Sequence, residues 1–378
     1  MTRVVFAPDS FKGSVPAAKA ARALAAGWAV VEPEVTSTLL PMADGGEGTL
    51  AAIASCVPGS RPVPVTVMHP RGARFGQVRA AWLLLPPDAS SPRGTGVVEL
   101  ESTAGIELLG AELDPWRAGT SGFGDAIRSA LDHGVSRLVL AIGSSASTDA
   151  GVGMLSALGA VVSTHDGALT TVAASLSAIT SIDLTTMRAL PPGGVSVLTD
   201  VTSPLLGETG AAALFGPQKG FRQSEVRAVD RALNRAAELL AADPHLPGSG
   251  AAGGTGLALS AWGANLVPGA PSVAQIIGLE AAISGAEFVV TGEGSYDRQS
   301  ALGKVPGFVL DLATANGKPA GIVAGRLAHD ARGDGFRAAI SLAEMAGGAE
   351  AAMADPLMWL TRAGAQLASQ SRLGARRR

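Results

Sequence analysis

Short runs of apolar residues alternate along the chain with longer segments in which apolar residues recur at helical spacing. The apolar runs predict buried strands, and the helical spacing over residues 16–28 predicts a helix with Ser14 as its N-cap. The predicted strands include residues 3–8, 34–40, 95–100, 136–143, 195–201, 285–297 and 318–325. Strands that alternate with helices of this length indicate βαβ units and a parallel sheet.

One stretch departs from this alternation. Residues 62–85 contain two strand-like runs around a turn at residues 69–72, which predicts an antiparallel hairpin. We therefore expect two α/β domains. An open parallel-sheet domain of the Rossmann or flavodoxin type is expected over residues 1–62 and 285–378. A second α/β domain, residues 63–284, is expected to be inserted into it.

Composition narrows the class of protein. The chain has 378 residues with a net charge of −3, and 47% of its residues are hydrophobic, which excludes intrinsic disorder. The near-neutral balance argues against a nucleic-acid or anionic membrane partner. The single cysteine excludes a disulfide framework. No signal peptide or membrane-spanning run is apparent, so we expect a cytoplasmic protein.

Glycine-rich segments follow the predicted strands and carry acidic residues or lysine. Glycine accounts for 49 of 378 residues, and in open α/β sheets ligands bind outside the carboxyl ends of the strands. Glycine lets backbone N–H groups approach an anion closely. The acidic residues in these segments are Asp9, Asp44, Glu47, Asp149, Asp200, Glu293 and Asp297. A part of this set is expected to be helix caps instead.

Lysine is scarce and its placement is uneven. The chain has 5 Lys against 24 Arg, and Lys12, Lys219 and Lys304 lie in glycine-flanked motifs. A compact ammonium group suits a phosphate, while carboxylates suit Mg²⁺ and a general base. Together these groups match the needs of phosphoryl transfer. The chain lacks the P-loop motif and the G-x-G-x-x-G dinucleotide fingerprint, so neither of those classes is supported.

The motifs taken together resemble the bacterial type I glycerate kinase family. The resemblance extends from about residue 3 to about residue 325 and is carried by motifs in a fixed order. These are APDSFKGS (7–14), PMADGGEGT (41–49), TSGFGDAI (120–127), GSSASTDAGVGML (143–155), DVTSPLLGETGAA (200–212), FGPQKG (215–220), GAAGGTG (250–256) and TGEGSYDRQSALGKVPG (291–307). The chain departs from the family's usual residues at 143–151, at Ser203 and at Ser295–Tyr296.

The resemblance implies ATP-dependent, Mg²⁺-assisted phosphorylation of D-glycerate to 2-phosphoglycerate, with 3-phosphoglycerate as an open alternative. It also implies an active site in the cleft between two α/β domains. Two further functions stay open. One is a kinase of a related small hydroxy acid or sugar acid, and the other is a non-catalytic ligand-binding homologue. We expect a small-molecule substrate and neither nucleic acid nor membrane as a partner; a homodimer is left open.

The expected roles combine the resemblance with the chemistry of the side chains. Lys12, Asp200, Asp297 and Lys304 are the candidate catalytic residues; either Asp200 or Asp297 is the general base. Asp44 and Asp200 are candidate Mg²⁺ ligands. Candidate nucleotide-binding residues are Gly143, Ser144, Ser145, Asp149, Lys219 and Glu293. Candidate substrate-binding residues are Asp9, Ser10, Gly45 and Gly46.

Overall fold

The computed structural model describes residues 2–165, 172–297, 304–328 and 335–375. The strands are β1 (Arg3–Phe6), β2 (Thr36–Leu39), β3 (Arg61–Met68), β4 (Gln77–Leu85), β5 (Thr95–Glu99), β6 (Arg137–Ala141), β7 (Val161–Thr164), β8 (Ile179–Asp183), β9 (Val195–Leu198), β10 (Asn265–Val267), β11 (Phe288–Tyr296), β12 (Ala320–Leu327) and β13 (Ala338–Ser341). The helices are α1 (Ala17–Val31), α2 (Thr49–Cys56), α3 (Glu101–Ala104), α4 (Ser121–His133), α5 (Val152–Ala157), α6 (Ala211–Lys219), α7 (Val226–Leu239), α8 (Ala251–Trp262), α9 (Gly269–Ile277), α10 (Leu279–Ser284), α11 (Val305–Ala315), α12 (Leu342–Ala346), α13 (Ala349–Ala354) and α14 (Pro356–Ala375). Short 3₁₀ turns cover Ala73–Phe75, Ile106–Leu109 and Ala173–Ala178.

The chain divides into two compact units. Unit 1 contains residues 1–44, 51–58 and 270–378, and unit 2 contains residues 45–50 and 59–269. Along the chain, residues 59–269 of unit 2 lie between segments of unit 1. The unit boundaries differ from the expected domain boundaries at three places. Residues 45–50 and 59–62, expected in the first domain, are in unit 2, and residues 270–284, expected in the inserted domain, are in unit 1, where α10 packs against α11 and leads into β11.

Unit 1 has an open sheet with strand order β13-β12-β11-β1-β2, and every neighbouring pair is parallel. Numbered 1 to 5 in chain order within the unit, the strands lie in the order 5-4-3-1-2, which is the flavodoxin-like arrangement. Strands are added on one side of β1 first and then, from β11 onward, on its other side. The fold class is thus confirmed. The core contains Phe6, Leu24, Trp28, Phe288 and Leu360, all buried.

Two glycines let α1 and α14 touch backbone to backbone in unit 1. A Cβ atom on Gly27 would overlap the carbonyl oxygen of Thr361, and one on Gly364 would overlap the carbonyl oxygen of Leu24. The contact is therefore reciprocal, and any larger residue at either position would force the helices apart.

Unit 2 is built on a mixed sheet with strand order β10-β9-β6-β5-β4-β3. Strands β10, β9, β6 and β5 are parallel, while β4 and β3 form an antiparallel hairpin, as the sequence predicts. A separate antiparallel ribbon pairs β7 with β8. The core includes Trp82, Phe123, Ile127 and Leu140, which are fully buried. Among the described helices of the whole chain, none combines the length and hydropathy that a membrane span requires.

Three predictions of local structure were wrong. Ser14 is not the N-cap of α1; its N–H donates to the carbonyl of Phe11 in a tight turn, and Pro16 occupies the cap position. A further strand, β13, follows the last predicted strand. Lys219 lies in the last turn of α6 rather than in a loop after a strand, because the helix continues through Pro217.

Candidate active site

The loop after β1 in unit 1 is a tight turn that presents Lys12. The N–H of Phe11 donates to the carbonyl of Val15, and the N–H of Ser14 donates to the carbonyl of Phe11. Gly13 has a φ of 72°, which a turn can use at its third position. Phe11 is buried beneath the turn, whereas the side chain of Lys12 is exposed. The turn therefore fixes the backbone and leaves the ammonium group accessible.

Three carboxylates of unit 1 interact at the carboxyl end of the sheet. Burial raises the pKa of Asp9 well above its ordinary value of 3.8, and the nearby charges of Asp44 and Glu293 raise it further. The Ser10 N–H, which donates to Asp9 Oδ1 over 2.6 Å, and the ammonium group of Lys304 both lower this pKa. Residues that the sequence analysis placed after separate strands are thus electrostatically coupled.

Two other candidates of unit 1 flank a segment outside the described residues. Asp297 lies just past the end of β11 and is exposed. Lys304 is also exposed and takes the N-cap position of α11, with a proline in the first turn after it. The part of the TGEG motif between them, residues 298–303, is not described. Glu293 is buried within β11.

In unit 2 the carboxyl ends of the parallel strands meet the glycine-rich segment 45–50. Gly143 N–H donates to the carbonyl of Gly45 over 2.9 Å. A Cβ on Gly143 would overlap the Cα of Gly46, and a Cβ on Gly45 would lie 2.7 Å from the carbonyl oxygen of Leu198. Close backbone packing therefore requires glycine at residues 45 and 143, and it accounts for these two glycines without a ligand.

Asp200 follows β9 at this same edge of the sheet. Its Oδ1 accepts a hydrogen bond from the N–H of Gly269 over 2.7 Å, at the start of α9. The side chain is half-buried. One carboxylate oxygen thus anchors the loop after β10.

The sequence analysis missed Glu99 at the end of β5. This residue is buried, and its carboxylate accepts a long hydrogen bond from the N–H of Leu50 at 3.4 Å. Burial and the nearby charge of Glu101 raise its pKa to about 7. The signal was present, because the predicted strand TGVVEL carries an acid at its carboxyl end like the strands that were selected.

Asp149 holds the loop at residues 143–151 in place. Its Oδ2 accepts hydrogen bonds from the N–H and Oγ1 of Thr120 over 2.8 and 2.7 Å and from the Gly153 N–H over 3.3 Å. Its Oδ1 accepts from the Gly151 N–H over 3.1 Å. Burial raises the pKa of Asp149, and these hydrogen bonds act against that rise. The carboxylate is fully buried and turned toward its own loop and the start of α4 and α5.

Lys219 binds the same loop from α6. Its Nζ donates to Ser145 Oγ over 2.7 Å and to the carbonyl oxygen of Ser147 over 2.5 Å. The side chain is buried, and burial lowers its pKa to about 7, against an opposing effect of the Asp149 charge. Lys219 and Asp149 therefore fix the loop from within.

The GAAGGTG motif packs against this loop backbone to backbone. Ala150 N–H donates to the carbonyl of Gly253 over 3.0 Å. A Cβ on Gly253 would overlap the Ser147 carbonyl oxygen, and one on Gly254 would lie 2.8 Å from the Cα of Ala150. Ala150 and Ala252 both have a φ of 52°, which is uncommon for a residue with a side chain. Such strain is typical of functional loops.

The departures from the family pattern differ in their surroundings. Tyr296 is buried and packs edge-on against Phe336, so it serves the core of unit 1. Thr148 and Ala150 are buried inside the loop at residues 143–151. Ser203 is half-buried after β9. Only the changes at residues 144–150 lie in the loop that Lys219 and Asp149 organise.

Comparison with known proteins gives a consistent result. A family model described as the glycerate kinase family matches residues 4–372. A glycerate kinase of Halalkalibacterium halodurans is 36% identical over 347 residues, covering 89% of this chain and 88% of that protein. A glycerate 2-kinase of Escherichia coli K12 is 36% identical over 337 residues, covering 87% of this chain and 86% of that protein. The crystal structure of a putative glycerate kinase 2 from Salmonella typhimurium LT2 matches with a TM-score of 0.83 at 35% identity, covering 99% of both chains.

Proposed function

The chain belongs to the glycerate kinase family, and from this premise we propose that it transfers the γ-phosphoryl group of ATP to D-glycerate and releases 2-phosphoglycerate. The hydroxyl oxygen of glycerate forms a bond to the γ-phosphorus, the bond to the ADP oxygen breaks, and the hydroxyl proton passes to a carboxylate. The relative named glycerate 2-kinase supports transfer to the 2-position. Transfer to the 3-position is the alternative that product analysis must exclude.

The observation that carries this proposal is the charge arrangement at the carboxyl edge of the unit 1 sheet. Burial raises the pKa of Asp9, the nearby charges of Asp44 and Glu293 raise it further, and the ammonium group of Lys304 acts against that rise. Phosphoryl transfer needs cations beside the moving phosphate, oxygen ligands for Mg²⁺ and a proton acceptor. Several carboxylates and a lysine at the carboxyl end of one sheet suit phosphoryl transfer better than they suit ligand binding without a reaction.

The carboxylates suit an Mg²⁺ ion that is bound jointly by the protein and the nucleotide. Within the described ranges, no group of three or more His, Cys, Asp or Glu side chains is arranged to hold a metal ion by itself. Mg²⁺ in kinases is commonly held by one or two carboxylates together with nucleotide phosphates and water. Asp44 is the proposed ligand in unit 1, and Asp200 is the proposed ligand in unit 2. When bound, the ion offsets negative charge on the phosphates.

In unit 1 we assign Lys12 and Lys304 to the transferring phosphoryl group, because both ammonium groups are exposed. Glu293 supports the nucleotide and its metal, and Asp9 with Ser10 binds the substrate. A carboxyl group with a raised pKa, such as that of Asp9, can donate a hydrogen bond to a substrate oxygen. Asp297 is exposed after β11 and is one of the two candidate bases.

In unit 2 we assign the backbone of Gly143, Ser144 and Ser145 to phosphate binding. Asp149 and Lys219 are buried within that loop, so their proposed role is to position it rather than to contact the nucleotide. Asp200 is the other candidate base. Gly45 and Gly46 stay in the proposal as backbone contacts to the substrate, although close packing already explains Gly45.

An ADP-release assay over glycerate, tartronate, glycolate and short aldonates tests the proposal. We expect ADP release with glycerate and a ³¹P NMR spectrum of 2-phosphoglycerate. Preference for another acid would support the related-substrate alternative, and binding without ADP release would support a non-catalytic homologue. Because ATP is an intracellular metabolite, the proposal keeps the expected cytoplasmic location. A homodimer stays a prediction, and light scattering would test it by measuring the molar mass in solution.

A further inference from the structure

A cavity of about 110 Å³, partly open to solvent, lies in unit 1 beside the loop after β1. Its lining combines that loop, the ends of β11 and β12, and helices α12 and α13. The residues that matter here are Phe11, Lys12, Arg326, Leu342, Ala349 and Met353. Most of the surface they present is apolar, and the two cationic side chains are exposed.

The position of this cavity follows from the strand order. β1 is flanked by β2 on one side and by β11 on the other, so the chain changes direction at the β1–β11 pair. Ligands of open α/β sheets bind outside the carboxyl ends of the strands at such a point. Lys12 comes from the loop after β1, and Gly294 belongs to β11. The cavity therefore opens where this class of sheet binds its ligands.

The floor of the cavity depends on two glycines at neighbouring strand ends. A Cβ on Gly325 would overlap the carbonyl oxygen of Gly294, and a Cβ on Gly294 would lie 3.2 Å from the backbone nitrogen of Lys12. The absence of side chains thus lets β12, β11 and the loop after β1 pack closely. Room for a ligand remains above them, toward α12 and α13.

The chemistry of the walls discriminates between the two substrates of the proposed reaction. Glycerate is a short, fully polar acid that has no group to bury against Phe11, Leu342 and Met353. A purine ring is flat and apolar on both faces, and pockets with apolar walls and a small number of polar groups are typical of such ligands. Met353 is 63% exposed, which leaves a polarizable side chain available at the lip.

We propose that this cavity binds the adenine ring of ATP. The ring lies against Met353 and Leu342, and Lys12 and Arg326 at the rim receive the phosphates. This inference rests on the proposed function, since it assigns the base of the same nucleotide. It also gives Lys12 a place between the base and the transferred phosphoryl group.

Calorimetric titration of the full chain with ADP and with inorganic tripolyphosphate tests the assignment. Ala349→Trp fills the cavity from its lip, and Met353→Ala removes one wall. We expect ADP to bind about tenfold more weakly to Ala349→Trp and about fivefold more weakly to Met353→Ala. Tripolyphosphate should bind to both as it does to the wild type, and the KM for ATP should rise while the KM for glycerate is unchanged.

Val30→Ala is the matched control, because Val30 is an exposed apolar residue of unit 1 on α1, 75% exposed and outside the cavity. It should bind ADP like the wild type. Unchanged ADP affinity in Ala349→Trp, or equal wild-type affinity for ADP and tripolyphosphate, would overturn the adenine site while leaving the kinase proposal intact. A wild type that neither binds ADP nor releases it with glycerate would overturn the proposed function, and the adenine site with it.

Discussion

The Nζ atom of Lys219 lies 2.5 Å from the carbonyl oxygen of Ser147, although the two residues are 72 positions apart in the sequence. The contact ties the end of α6 to the loop that begins after β6. The amine is buried, which favours its neutral form, while the nearby charge of Asp149 favours the charged form. The loop is therefore held by a side chain that can titrate. This arrangement has a measurable pH signature.

Lys219→Met should remove a pH dependence from the free energy of unfolding. Burial lowers the pKa of Lys219 from 10.5 to about 7, so the folded chain binds its proton less tightly than the unfolded chain. The free energy of unfolding should therefore rise with pH between about 7 and 10.5, by at most about 1.4 kcal/mol per pH unit. Urea unfolding at pH 7.5, 8.5 and 9.5 should show this rise for the wild type relative to Lys219→Met.

A control is available in the exposed Lys19 on α1, whose replacement by Met should leave the wild-type slope unchanged. Parallel pH dependence of the wild type and Lys219→Met would show that Lys219 is charged in the folded chain at neutral pH.

The buried Glu99 should give the wild type a pH dependence of the opposite sign, and Glu99→Gln should remove it. The folded chain holds the Glu99 proton up to about pH 7, while the unfolded chain releases it near 4.5, so wild-type stability falls as pH rises through this window. The neutral variant avoids that loss. Its stability relative to the wild type should increase between pH 5 and pH 8, by up to about 3 kcal/mol. Thermal or urea unfolding at both pH values measures it, and Glu280→Gln, at an exposed position, should show no such change.

Gly253→Ala should disrupt the loop at residues 143–151 from outside. Gly253 has a φ of 67°, and its Cβ would overlap the Ser147 carbonyl oxygen that Lys219 binds. We expect a loss of about 3 kcal/mol or more in the free energy of unfolding. Gly194→Ala carries similar strain, with a φ of 76° and nothing within 4 Å of the new Cβ, so it should cost only about 1 kcal/mol. Equal losses would mean that the loop moves aside freely.

Lys12→Met should reduce kcat about 100-fold or more, because a cation next to the transferring phosphoryl group acts mainly in the transition state. The ADP-release assay with saturating ATP and glycerate measures the effect. Lys19→Met, which removes an exposed lysine of the same unit on α1, should leave kcat unchanged. Normal turnover of Lys12→Met would remove Lys12 from the proposed catalytic set.

Asp200→Asn is designed to separate charge from structure. The amide oxygen of Asn can still accept the hydrogen bond from Gly269 N–H, so the loop after β10 should keep its anchor. Loss of the carboxylate charge should lower kcat about 100-fold. Asp183→Asn, at an exposed site in β8, is the control. If Asp200→Asn retains wild-type kcat, Asp297 remains as the proposed base and Asp44 as the proposed metal ligand.

The sequence predicted features that depend on local pattern. Strand runs and the glycine-rich segments after them are encoded in neighbouring residues, so the positions of Asp9, Asp200 and Glu293 at strand ends could be inferred. Burial of a charge depends on residues far apart in the sequence. The contact of Lys219 with Ser145 and Ser147 and the four hydrogen bonds of Asp149 could therefore not be predicted from spacing.

The misses have equally specific causes. Ser14 is a residue type that often caps helices, but it belongs to the turn from Phe11 to Val15, and Pro16 occupies the cap position two residues later. Lys219 follows a Gly-Pro pair, which is typical of a turn, yet the helix continues through it. Glu99 was overlooked because its strand end lacks the glycines that directed attention to the other acids.

The division of the chain sets an order for folding during synthesis. Most of unit 2 is one continuous segment, residues 59–269, and emerges from the ribosome whole. β1, α1 and β2 emerge first but lack β11, their partner across the sheet, and α14, whose Gly364 seats against α1, until almost the entire chain is made. At ribosomal rates of about 5–20 residues per second, the N-terminal strands wait roughly 15–65 s for these partners. During that interval the edge of β1 that later pairs with β11 has no partner strand.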